Sequence, residues 1–192
     1  MELKATLKKL ISMMLVIDNH GFELKFLNDD NWYKINSESD LEGVFKPKQF
    51  PRGMTPLKAN LEKVLGGYNH GDYPEGDTIL LVLTDGEPSD TNFNNLKAMI
   101  ERRNKSVYVS FIMCTEDDDV VTAYEGCIDP LKGVDIVDDY VSEKKVCERV
   151  GNKLSYNKYL AKCLLGSKLD KYGHLDSHNM GPKAEGGCCS IL

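Results

Sequence analysis

The stretch Thr78-Ile79-Leu80-Leu81-Val82-Leu83 is apolar at every position after the first, and it constrains the fold more than any other part of the chain. A strand with apolar side chains on both faces must be covered on both, which places it inside a parallel sheet sandwiched by helices. The residues after it keep an alternating rhythm. Phe93, Leu96 and Ile100 have helical spacing, 107–113 is a second apolar strand, and a short helix is expected at 120–126. A third strand follows at 134–137, then helices at 142–150 and 155–165, the second stopped by Gly166. Strands alternating with helices indicate an α/β fold: a doubly wound, mostly parallel sheet with helices on both faces.

Upstream, Leu3, Leu7, Leu10, Ile11 and Met14 share one face of an expected helix over 2–16. Asp18-Asn19-His20-Gly21 reads as a turn. Phe22, Leu24 and Phe26 alternate with Glu23 and Lys25, as in a half-buried strand. Residues 28–50 lack clear periodicity and read as a loop with one short helix near 39–45. Thr55 is a good N-cap with Pro56 in the first turn behind it. Leu57, Leu61, Val64 and Leu65 supply the buried stripe of that helix, and Gly66-Gly67 its stop. Residues 167–192 are read as a flexible tail, so the domain is expected to span 1–166.

The 30 acidic residues outnumber the 24 basic ones, for a net charge of -6. Clustered cations for phosphate contacts are missing, which argues against nucleic acid as a partner. No apolar run reaches the ~20 residues of a membrane-spanning helix, and the lysine-interrupted start lacks signal-peptide architecture. Cys114, Cys127, Cys147 and Cys163 form no C-x-x-C pair and read as free thiols in a reducing compartment.

Thr84-Asp85-Gly86-Glu87-Pro88 follows the apolar strand directly. In open α/β sheets ligands bind beyond the carboxyl ends of the strands, so Asp85 is well placed to hold a cation. It could equally cap a helix or close a turn, and spacing alone leaves both readings open.

The run Leu80-Leu81-Val82-Leu83-Thr84-Asp85-Gly86-Glu87-Pro88 resembles the third element of the metal-ion-dependent adhesion site of von Willebrand factor type A (vWA) domains. Arg52-Gly53-Met54-Thr55-Pro56-Leu57 resembles the second element, whose threonine contacts the metal. The segment from Asp18 to Asn28 is similar to the second strand of small intracellular vWA proteins. Val134-Asp135-Ile136-Val137-Asp138-Asp139-Tyr140 and Lys162-Cys163-Leu164-Leu165-Gly166 resemble their last strand and last helix. The resemblance covers roughly 2–166.

The family's first strand ends in Asp-x-Ser-x-Ser, which no part of this chain contains; Ser37-Glu38-Ser39 follows no buried strand. By the resemblance that strand belongs between 22–27 and 79–83, so the fold is expected to lack its first central strand. The flanking strands then close up, another chain fills the gap, or the sequence is an incomplete or degenerate copy; incompleteness is the expectation. The resemblance leaves Thr55 and Asp85 as metal positions of a degenerate site. Mg²⁺ or another divalent cation would bind it weakly, since Mg²⁺ demands near-octahedral oxygen coordination.

The chain ends Cys188-Cys189-Ser190-Ile191-Leu192. Cys189-Ser190-Ile191-Leu192 fits the prenylation pattern C-a-a-X, with leucine favouring geranylgeranyl, and Cys188 offers a palmitoylation site. Two lipids are needed for stable attachment. A cytoplasmic protein held at a membrane is the expectation.

A small GTPase with such a tail would need G-x-x-x-x-G-K-[ST], and a dinucleotide-binding enzyme G-x-G-x-x-G; neither occurs. His20, His70, His174 and His178 fall in expected turns or tail, poor places for a general base. Glu116-Asp117-Asp118-Asp119 reads as the acidic start of a helix, with a Ca²⁺ site as the lesser alternative. The functional expectation is a non-enzymatic protein-interaction module of vWA type with an unknown protein partner. The alternative is a truncated fragment with no independent activity.

Overall fold

A computed structural model describes residues 3–17, 21–45, 53–71 and 76–176. The described chain is mixed α/β. Helix α1 (Leu3–Ile17) leads to strands β1 (Phe22–Leu24) and β2 (Tyr33–Ile35), then α2 (Glu38–Val44) and α3 (Leu57–His70). Strand β3 (Thr78–Thr84), α4 (Phe93–Glu101), β4 (Val107–Met113), α5 (Asp118–Cys127) and β5 (Val134–Val137) follow, and α6 (Tyr140–Arg149), α7 (Tyr156–Leu165) and α8 (Asp170–Gly173) close the order.

The main sheet is parallel, in the order β3-β4-β5, with Leu80 opposite Val109 and Phe111 opposite Ile136. One face packs on α3, α4 and α5 through Leu61, Val82, Ile100, Phe111, Tyr124 and Ile136. The other packs on α1, α6 and α7 through Leu10, Ile112, Val137, Cys147, Leu160 and Cys163. Each such side chain taken fully out of water contributes ~1.5–3 kcal/mol. Between Phe93 and Phe111, Tyr124 makes an edge-on contact with a centroid distance of 4.9 Å to Phe93. The helices therefore lie on both faces, as the two-sided apolar strands require.

The helices start where short polar side chains can receive the free amides of the first turn. Asn92, Asp117, Asp139 and Ser155 accept from Asn95, Asp119, Val141 and Lys158 N–H at 2.9, 3.1, 2.7 and 3.3 Å. Helix α3 differs from expectation at both ends. Its N-cap position is Pro56, with no side-chain cap of its own; instead the Asp90 carboxylate reaches across to accept from Lys58 and Ala59 N–H at 3.0 and 2.9 Å. Gly66 and Gly67 do not stop it. The helix runs to His70 and ends on Gly71 at φ 78°, a left-handed turn that glycine adopts without steric cost.

Two further differences concern the sheet. Residues 28–50 contain β2, which pairs antiparallel with β1 as a separate two-stranded sheet over Ile35, Leu41 and α1. Strand β3, expected at the centre of a sheet, has β4 as its only strand neighbour among the described residues. Past Gly166, inside the expected tail, the chain packs back on the domain: Ser167 is buried and donates or accepts with Ser110 at 2.9 Å, and Leu175 accepts from Asn152 Nδ2 at 2.8 Å. The turn at 18–20, Arg52, and the Cys188-Cys189 motif lie outside the described residues.

Candidate functional site

At the carboxyl end of β3 the chain turns sharply. Buried Thr84 donates its hydroxyl to Gly86 O at 3.0 Å, and Tyr124 donates to the same carbonyl at 3.2 Å. The Cys114 N–H donates to Thr84 O at 2.8 Å, so the ends of β3 and β4 stay in register. The turn leaves Asp85 exposed to solvent. Cys114 lines the same cleft, and desolvation pushes its thiol up to about 11, the Asp85 carboxylate adding to the shift.

The Thr55 loop meets this turn. Ser89 N–H donates to Thr55 O at 2.9 Å, and the Asp90 cap lies one residue further on. Asn28 Nδ2 donates to Met54 O at 2.9 Å, which ties the same loop to the exit of β1. Thr55 and Asp85 thus lie on two loops that hydrogen bonds join, and both face one cleft of 1920 Å³. Glu116 lines the cleft as well. Asp117, by contrast, is occupied as the cap of α5, with Asp118 and Asp119 in the first turn. His70 ends α3 and His174 sits in a 3-10 turn; neither lines the cleft.

A resident divalent ion would need more than this pair offers. Among the described residues no group of three or more His, Cys, Asp or Glu is placed to hold a metal ion. One exposed carboxylate and one hydroxyl are a small part of an octahedral oxygen shell.

A second polar cluster lies inside the domain, and sequence reasoning did not find it. Lys162 on α7 is fully buried; its ammonium donates to Asp135 Oδ1 at 3.2 Å, Asp176 Oδ2 at 3.1 Å and Gly173 O at 3.1 Å. Among the described residues, Asp135 Oδ2 and Glu143 Oε2 are buried without a hydrogen-bond partner. Burial, opposed by Lys162, pushes Asp135 up to about 7 and Glu143 up to about 8. Burial disfavours the charge on Lys162, but the carboxylates of Glu143, Asp135 and Asp176 outweigh it and raise its pKa. A Cβ on Gly166 would stand 1.7 Å from Asp135 Oδ2, so only glycine fits there. The sequence shows only a lysine inside the apolar stretch Tyr159-Leu160-Ala161-Lys162-Cys163-Leu164-Leu165 and a lone aspartate in an apolar strand; nothing local says that the two meet.

Comparison with protein-family models, with curated proteins and with solved structures finds no match to the chain. No described helix is long and apolar enough to cross a membrane.

Proposed function

We propose that the chain is a vWA-like, non-enzymatic interaction module that engages a protein partner through the strand-end face around Thr55 and Asp85. The observation that carries this reading is the junction of two loops, Thr55 O accepting from Ser89 N–H, at the carboxyl end of a buried parallel strand. That end is where open α/β sheets bind ligands. The three-stranded parallel sheet with helices on both faces is compatible with the vWA reading, which rests otherwise on the sequence resemblance. Recognition on this proposal uses the protein surface itself, with any Mg²⁺ or other divalent ion held weakly by Thr55 and Asp85. Prenylation of Cys189, with palmitoylation of Cys188, would tether the module to a membrane facing the cytoplasm; this part rests on the motif alone.

A photo-crosslinking side chain placed at exposed Glu87, and in a second variant at exposed Glu101, tests the face. A discrete protein adduct from position 87 that disappears with Asp85→Ala is the expected result. Equal adducts from both positions, or none from 87, would overturn the proposal. Calorimetry with MgCl₂ and CaCl₂ on the full chain should show no tight binding.

A further inference from the structure

The cleft beside β3 is built like a space for another strand. Thr78 N–H donates to Ser106 O, and Thr84 O accepts from Cys114 N–H, both at 2.8 Å. Along a strand, backbone groups point alternately to either side. Residues 78, 80, 82 and 84 therefore face β4, while Ile79, Leu81 and Leu83 turn N–H and C=O away from it into the cleft. Among the described residues no strand meets them.

The walls are apolar above and below that edge. Leu10, Ile11 and Met14 of α1 line one side, and Leu57, Leu61 and Val64 of α3 line the other. The far wall is the hairpin: Phe22 and Leu24 of β1 line the cleft but belong to a different sheet from β3. The hairpin, at the chain just after β1, is tied to α3. Asn60 of α3 donates to Leu27 O at 2.9 Å and accepts from Lys25 Nζ at 2.7 Å. Strand β3 keeps four partly exposed side chains, Ile79, Leu80, Leu81 and Leu83, with helices on both faces of its sheet.

The two ends of the cleft differ in charge. At the amino end Asp77 is paired with Lys168 at 2.9 Å. At the carboxyl end Asp85, Glu116 and Asp139 outnumber Lys145. Asp139 is engaged in capping α6, which leaves Asp85 and Glu116 to meet a cation. Two segments outside the described residues read poorly as strands in the sequence. Segment 46–52 contains Pro47 and Pro51, and 177–192 has no apolar run of strand length.

We propose that this cleft accepts an extended segment of a second polypeptide as a strand against β3. The segment has about seven apolar residues, spanning ~23 Å at 3.3 Å per residue, and carries Lys or Arg where it meets Asp85 and Glu116. Main-chain hydrogen bonds to Ile79, Leu81 and Leu83 give affinity, pockets on both faces select apolar side chains, and the acidic rim selects the flank. This deepens the strand-end reading by naming a class of partner, but it stands on the edge of β3 and not on Asp85 alone.

The test uses the full chain and a probe peptide of seven alternating Val and Leu residues with two lysines at each end, at a concentration where it is monomeric. Binding should slow amide hydrogen exchange about tenfold or more at Ile79, Leu81 and Leu83. The same peptide N-methylated at alternate residues should not bind, since it cannot complete the ladder. Glutamates in place of the lysines should weaken binding about tenfold. No binding, equal binding of the N-methylated peptide, or protection elsewhere than β3 would overturn the proposal. So would protection of these amides in the free protein, whether a second copy or closure of the hairpin supplied it. Binding that survives Asp85→Ala, with crosslinking from position 87 absent, would refute the strand-end reading while leaving the strand site in place.

Discussion

Lys162 on α7 directs its ammonium group at Asp135 on β5, 3.2 Å away, with both residues withdrawn from water. A buried charge of this kind is tolerated only when paired and hydrogen bonded. Three acceptors surround the ammonium, yet the far oxygen of Asp135 has no partner among the described residues. The pair therefore joins β5, α7 and the segment at 170–176 through electrostatics that one substitution can unbalance.

Replacing Lys162 by Met should destabilise the fold by roughly 3–5 kcal/mol, because Asp135 loses its cation and stays buried. Chemical denaturation measures this. The double variant Lys162→Met with Asp135→Asn should recover part of the loss, and no recovery would show that the two residues are not coupled.

The acids of this cluster predict a pH dependence of definite sign. Glu143 titrates at about 8 in the folded chain against 4.5 for the ordinary group, and Asp135 at about 7 against 3.8. Folded-state values above unfolded ones mean that the folded chain holds protons the unfolded chain has released. Stability from these groups is full below about 4, falls through the window between the two sets of values, and is lost above about 8. Tm should drop by roughly 5 °C or more from pH 5 to pH 8, and Glu143→Gln, which stays neutral, should flatten the slope. A slope unchanged in that variant would refute the assignment to Glu143.

Asp90→Ala removes the acceptor for Lys58 and Ala59 N–H. The expected cost is about 1–2 kcal/mol, the range for loss of an N-cap. Faster exchange at those two amides should accompany it, because the Thr55 loop and the turn after β3 would come apart together. A loss of stability without that local change would place the effect elsewhere.

Metabolic labelling with a geranylgeranyl analogue should mark the full chain and fail to mark Cys189→Ser. Equal labelling of both would exclude the C-a-a-X reading.

Much of the main sheet is legible because its strands are mostly apolar: the expected bounds 107–113 and 134–137 coincide with β4 and β5, and Gly166 ends α7. Polar starts such as Asp117 also announced their helices. What failed was non-local or very short. Strand β2 has three residues, Tyr33-Lys34-Ile35, too few to show a period. Thr55 looked like the cap of α3, but a carboxylate some thirty residues later took that place. Gly66 and Gly67 read as a stop, yet a Cβ at Gly66 would meet nothing within 4 Å, and the left-handed turn falls at Gly71. Thr55 and Asp85 were picked out from motifs, and their loops do meet. The Lys162–Asp135 pair depended on two elements coming together across 27 residues, and no local pattern encodes that.

The edge of β3 that no strand meets among the described residues also bears on the chain's fate in a cell. A free apolar edge is a template for pairing with any extended chain nearby, and newly made copies expose it at the concentrations where aggregation competes with folding. Copies without a strand to accept would be held by chaperones or degraded, while a bound strand would shift the balance by mass action. If the proposed strand acceptance holds, the steady-state abundance of this protein rises and falls with the supply of that strand.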